Sequence, residues 1–94
     1  MRESQLQTKL LKELKKHGWF YKASDRYRAG IPDIIGCYQG SFFGIECKAG
    51  KNKPTALQEK NLRDIAKSGG IALVINEDNI DDVMHSLNQI PFGR

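Results

Sequence analysis

The stretch from Ile34 to Lys48 constrains the fold more than any other part of the chain. Ile34-Ile35-Gly36-Cys37-Tyr38 has strand composition, Gln39-Gly40 suits a tight turn, and Ser41 to Lys48 supplies a returning strand. If the hairpin turns symmetrically about Gln39-Gly40, residues pair at equal distances on either side of it, and Asp33 lies directly across from Glu46. Period-two alternation places Phe42, Gly44, Glu46 and Lys48 on one face of the returning strand. A carboxylate and an amine therefore project to the same side, facing a second carboxylate.

Helical patterns flank the hairpin. From Ser4 to His17, Leu6, Leu10 and Leu14 recur every four residues with Leu11 beside them, which predicts an amphipathic helix. Ser4 and Gln7 have the spacing of its capping box, and Gly18 is placed to stop it in a left-handed cap. His17 then reads as a surface residue at the helix end. Trp19 to Lys22 predicts a short strand, and Ala23 to Gly30 a polar, basic loop. After an aperiodic loop from Ala49 to Pro54, Thr55 begins a second helix with Gln58 at the capping-box position. Leu62, Ile65 and Ala66 form its apolar stripe, and Gly69-Gly70 ends it. Ile71 to Ile75 predicts a buried strand, and Ile80 to Leu87 a last helix capped by Asn79. The order is α-β-β-β-α-β-α, an α/β chain forming one domain over residues 1–94, with no repeat or linker.

Composition narrows the class. With 39% hydrophobic and 28% charged residues in 94, the chain holds one modest core, and so short a domain is a candidate for homodimerisation. No signal core or spanning-length apolar run occurs, which argues for a soluble protein with no membrane partner. Cys37 and Cys47 fit neither a zinc-ligand pair nor a disulfide framework, and they fall on opposite faces of the hairpin. A reducing, intracellular compartment suits them best. The formal charge of +4 suits a polyanionic partner, and its distribution says more. Arg26 and Arg28 lead into Gly30, while Lys51 and Lys53 follow Lys48, so both loops can reach a phosphate backbone lying over the hairpin. The acidic run from Glu77 to Asp82 lacks calcium-loop spacing and reads as helix N-terminal charge.

Opposed carboxylates destabilise a strand pair unless a positive group lies between them. A divalent cation resolves that conflict. Oxygen ligands suit Mg²⁺ or Mn²⁺, which keep several waters and also bind substrate phosphate. Taken singly, Pro32-Asp33 is a common turn or strand start, and a Glu-x-Lys triplet is usually a solvated face.

In combination, Ile31-Pro32-Asp33 followed by Glu46-Cys47-Lys48 is the PD-(D/E)XK pattern. Within that superfamily the chain resembles the VRR-NUC family, the virus-type replication and repair nucleases. The resemblance includes the acidic, Gln-containing first helix, the Arg-rich loop, Gly30-Ile31-Pro32-Asp33 and Gly44-Ile45-Glu46-Cys47-Lys48. It continues through Thr55-Ala56-Leu57-Gln58 and Gly69-Gly70 before a hydrophobic strand. It implies a restriction-endonuclease-like core, a mixed β-sheet flanked by helices. Asp33 and Glu46 would bind metal through their carboxylates and Cys47 through its backbone carbonyl. Lys48 would orient or activate water and stabilise developing phosphorane charge. Glu3 matches an acidic residue that completes the metal shell directly or through water. Gln58 matches a glutamine on the buried face that supports Lys48 or a metal-bound water. Each has a plainer reading: Glu3 favours the helix N-terminus and Gln58 caps Thr55.

The resemblance further implies a metal-dependent DNA endonuclease, acting on branched, flap or junction DNA, four-way Holliday junctions included, in replication, repair or recombination. Its cell would be bacterial or phage-infected, and its product would carry a 5′-phosphate. A homodimer would set two active sites against two strands, with Trp19, Phe20, Tyr21 and Phe92 as interface candidates and Tyr27 as a loop aromatic that packs locally. Two other classes remain open: a DNA-binding module that keeps the fold without turnover, and a small nucleic-acid-binding protein of unrelated fold.

Overall fold

A computed structural model describes residues 1–23 and 28–88, the last of these as backbone only. In chain order the elements are α1 (Glu3–Leu14), β1 (Trp19–Lys22), β2 (Ile34–Tyr38), β3 (Ser41–Cys47), α2 (Ala56–Lys67), β4 (Ile71–Ile75) and α3 (Ile80–Asn88). They match the predicted order. The strands form one mixed sheet in the order β1-β2-β3-β4, antiparallel across the first three and parallel between β3 and β4. A parallel pair needs a crossover, which α2 supplies.

The hairpin has the expected register, from Tyr38 opposite Ser41 to Ile34 opposite Ile45. Gln39 and Gly40 both take positive φ, 56° and 80°, the two-residue geometry that matches the twist of paired strands. Two faces follow from the pleat. Phe20, Ile34, Tyr38, Phe43, Ile45 and Cys47 meet α1 and α3 in the main core, where Leu6, Leu10 and Leu14 are fully buried and Ile75, Ile80 and Leu87 complete the packing. Each buried leucine contributes roughly 1.5–3 kcal/mol. The opposite face carries Gly44 and Glu46 beneath α2. A Cβ at Gly44 would stand 2.5 Å from the Ile65 side chain, so glycine is what lets the helix approach.

Several local expectations are corrected. The first helix starts at Glu3 rather than Ser4: Arg2 is its extended N-cap residue, and Gln5, not Gln7, returns its side chain to the cap, accepting the Arg2 N–H at 2.8 Å. The helix ends at Leu14, and the left-handed cap expected at Gly18 does not form, since Gly18 is not among the positive-φ glycines. Glycine is required there for space instead, because a Cβ would meet the Cys37 carbonyl oxygen at 2.4 Å. His17 packs edge-on against Tyr38 with its side chain 10% exposed, so it is a packing residue more than a surface one. On α2 the buried positions are Asn61 and Leu62, and Ala66 is exposed. Among the described residues β4 lies at the sheet edge, and its Ile71 and Val74 are exposed. Asn79 precedes α3 as expected, but its side-chain oxygen accepts from the Asn76 N–H rather than from the helix. No described helix is long and apolar enough to cross a membrane.

Candidate active site

Asp33 lies at the bend just before β2, Glu46 near the end of β3 and Lys48 immediately after it. The hairpin brings them together. The Cys47 N–H donates to Asp33 Oδ2 at 2.8 Å, in place of a backbone acceptor, and this anchors one oxygen of that carboxylate at the strand end. Glu46 is 1% exposed, among the most buried side chains of the protein. Its Oε1 lies 4.0 Å from Lys48 Nζ, and its Oε2 is buried with no hydrogen-bond partner among the described residues.

A buried carboxylate beside another is hard to ionise. Burial, then the adjacent Asp33 carboxyl and its charge, push the Glu46 pKa up to about 8, and Glu3 adds to the shift while Lys48 opposes it. Burial also pushes the Cys47 thiol up to about 12, with the Asp33, Glu46 and Glu3 charges adding to the effect. That thiol is a core group on the far face; Cys37 is exposed, and both cysteines are free. Only the backbone of Cys47 is available to the site.

Gln58 lies in the first turn of α2, within reach of Glu46. It closes the capping box of α2, accepting the Thr55 N–H at 2.8 Å while its own N–H reaches Thr55 Oγ1 at 3.2 Å. Its side-chain amide then donates to Glu46 Oε1 at 3.2 Å. One side chain thus makes both the capping contacts and the bond to Glu46.

Glu3 is drawn to the loop that follows Lys48. Its Oε2 accepts from the Ala49 N–H at 3.2 Å and from Asn52 Nδ2 at 3.0 Å, and these bonds, Asn52 first, hold its carboxyl below the ordinary range. Glu77 grips the same loop from the other side, taking the Gly50 N–H at 2.9 and 3.2 Å. This latch displays Lys51 and Lys53 in solvent. Arg28 is exposed at the rim of a cleft of about 410 Å³ that Pro32, Ile35, Phe42 and Ile65 help to line. Arg26 and Tyr27 lie outside the described residues, as does Phe92.

Sequence reasoning missed Asn61. It is buried on α2 and donates to the Gly30 carbonyl at 2.9 Å, tying the helix to the segment that carries Asp33. Gly30 has φ of 81°, and a Cβ there would press on Leu57 and Asn61. A polar residue one turn beyond Gln58 on the same helix face was the available signal. Of the aromatic candidates, Phe20 is core, whereas Trp19 at 66% exposure and Tyr21 stand on the open side of β1 in mutual edge contact.

The donor set fits a hard divalent cation. Two opposed carboxylates, one with an unpartnered buried oxygen, present the conflict a cation would relieve. Among the described residues no group of three or more His, Cys, Asp or Glu side chains converges on a metal position. An ion here would therefore draw its remaining ligands from backbone, water and phosphate.

No family model matches the chain. The chain is 27% identical over 90 residues to "Putative nuclease p44" of Acyrthosiphon pisum secondary endosymbiont phage 1, covering 94% of this chain and 97% of that protein. Its fold superimposes on a solved "VRR_NUC domain protein" with a TM-score of 0.72 at 22% identity, over 95% of this chain and 87% of the other. The chain thus shares the fold of that VRR_NUC domain protein, a mixed four-stranded sheet flanked by helices.

Proposed function

We propose that residues 1–94 are one domain with the activity of a divalent-metal-dependent nuclease, which hydrolyses phosphodiester bonds in DNA. The observation that carries the reading is the buried Glu46 carboxylate, opposed by Asp33, approached by Lys48 and held by Gln58. A side chain so placed costs stability unless a ligand uses it. The phage relative named "Putative nuclease p44", of nearly the same length, supports the reaction class.

Asp33 and Glu46, with the Cys47 carbonyl, would hold Mg²⁺ or Mn²⁺. When bound, such an ion polarises a phosphate and lowers the pKa of a water. Each side chain has a task of its own. The Cys47 N–H fixes the rotamer of Asp33 and leaves Oδ1 for the site. Gln58 holds Glu46 Oε1, while Oε2 keeps no hydrogen-bond partner among the described residues and is available to a ligand. Lys48 supplies a positive charge next to Glu46, placed to orient the attacking water and to stabilise charge developing on the phosphoryl oxygens. Arg28, Lys51 and Lys53, all exposed, would contact the phosphate backbone, and Arg26 is assigned the same task from its place in the sequence. Glu3 holds the loop of Lys51 and Lys53 and adds negative potential to the metal site.

The substrate in this reading is structured DNA, flap, branched or four-way junction, processed in replication, repair or recombination in a bacterial or phage-infected cell. A homodimer would deliver two sites to two strands, and Trp19 and Tyr21 are exposed aromatics available for such a contact. The deciding experiment incubates labelled duplex, flap and four-way-junction DNA with Mg²⁺, Mn²⁺ or EDTA, using wild type, Glu46→Gln and Lys48→Ala. Metal-dependent cleavage by wild type alone is expected. Cleavage that survives EDTA, or cleavage by either variant equal to that of wild type, would overturn the assignment.

A further inference from the structure

Pro32 occupies a register position that decides what the Cys47 carbonyl can do. Successive residues of a strand direct their backbone groups alternately toward its two neighbours. The Lys48 N–H donates to the Ile75 carbonyl on β4 at 2.9 Å, so the N–H and C=O of Cys47 point the other way, toward the β2 segment. The Cys47 N–H going to Asp33 Oδ2 agrees with this. Ile34 pairs with Ile45, and one further hydrogen-bonded step would set Cys47 against residue 32. Any residue but proline there would offer an N–H to the Cys47 carbonyl, and proline has none. The ladder ends one pair early: β2 begins only at Ile34, while the Asp33 carbonyl stays paired on its other side, accepting from Ala23 N–H at 2.8 Å.

We propose that Pro32 is a positioning residue that withholds the ladder donor from the Cys47 carbonyl, leaving that oxygen free beside the Asp33 and Glu46 carboxylates. The Cys47 N–H takes the Asp33 side chain as its acceptor at the same end of the strand. The assignment of the freed oxygen to a cation rests on the metal-dependent reading above; the withheld pairing does not.

The test compares wild type with Pro32→Val, and with the same variant carrying an ester in place of the residue-32 amide, introduced as the α-hydroxy acid. The ester removes the N–H and keeps the side chain. Two quantities are read: through-hydrogen-bond coupling from the residue-32 amide nitrogen to the Cys47 carbonyl carbon in metal-free protein, and Mn²⁺ affinity by calorimetry. Pro32→Val is expected to show the coupling and to bind Mn²⁺ about tenfold more weakly, with the ester form returning to within about twofold of wild type. No coupling in Pro32→Val overturns the proposal, as does an equal affinity loss in the ester form, which would assign the effect to packing over Gly44. Pro32→Ala serves as a second N–H-bearing variant should valine disturb that packing. If wild type binds no Mn²⁺, the metal reading fails, and the coupling still decides whether residue 32 pairs with Cys47.

Discussion

Gln58 Nε2 lies 3.2 Å from Glu46 Oε1 while the oxygen of the same amide accepts the Thr55 N–H at 2.8 Å. The orientation is unambiguous chemically, since a flipped amide would set its NH₂ against an N–H and its oxygen against a carboxylate. One side chain therefore closes the first turn of α2 and steers a buried acid at the end of β3. The start of the helix and the geometry of the site are mechanically one unit.

Substitutions separate those two roles. Thr55→Ala and Gln58→Ala are each expected to lower stability by about 1 kcal/mol through loss of the cap. Only Gln58→Ala also frees Glu46, so it alone should depress cleavage. Denaturant titration paired with single-turnover rates checks this; equal rate losses in both variants would leave Gln58 a cap and nothing more.

The raised Glu46 pKa has a definite sign in a stability profile. The folded, metal-free protein keeps the proton up to about 8, while the unfolded chain releases it near the ordinary value of 4.5. Between those values the unfolded state binds fewer protons, so stability falls as pH rises through that window and is greatest at its acid end. Glu46→Gln should flatten this slope in pH-dependent urea melts. Mg²⁺ or Mn²⁺ binding should displace the proton, strengthen with pH across the same range, and show proton release in calorimetry run in buffers of different ionisation enthalpy.

Lys48→Ala is expected to reduce the cleavage rate about 100-fold or more while leaving metal and DNA affinity near wild type, because the lost charge acts mainly on the transition state. A matching loss of DNA affinity would instead mark Lys48 as a phosphate-binding residue.

The latch between Glu3 and the loop after Lys48 predicts energetic coupling between residues 49 apart in sequence. In a double-mutant cycle, Glu3→Ala and Asn52→Ala should show an interaction of roughly 0.5–1 kcal/mol in stability. Additive effects would dissolve the latch and leave Glu3 to the metal site or the helix dipole.

Core packing sets the largest stability effects. Leu10→Ala, at a fully buried position on α1, should cost about 2–5 kcal/mol. Gly36→Ala should cost roughly 1–3 kcal/mol by overpacking, since its Cβ would stand 2.2 Å from the Phe20 ring. Thermal or chemical denaturation measures both, and a neutral Gly36→Ala would show that the β1 edge yields easily.

Sequence periodicity by itself determined the seven elements, their order and the hairpin register, because each depends on neighbours a few residues apart and on which face is apolar. It also named Asp33, Glu46 and Lys48 as one constellation, since the turn at Gln39-Gly40 leaves a single pairing that buries the Ile34 and Ile45 side chains. Only the tertiary structure decided the rest. Asn61 reaching Gly30, Glu3 reaching Ala49 and Asn52, Gln58 reaching Glu46 and β4 lying bare at the edge all depend on how helices settle on the sheet. Those placements follow from close contacts such as Gly44 beneath Ile65, made between segments whose separation in sequence carries no periodic signal.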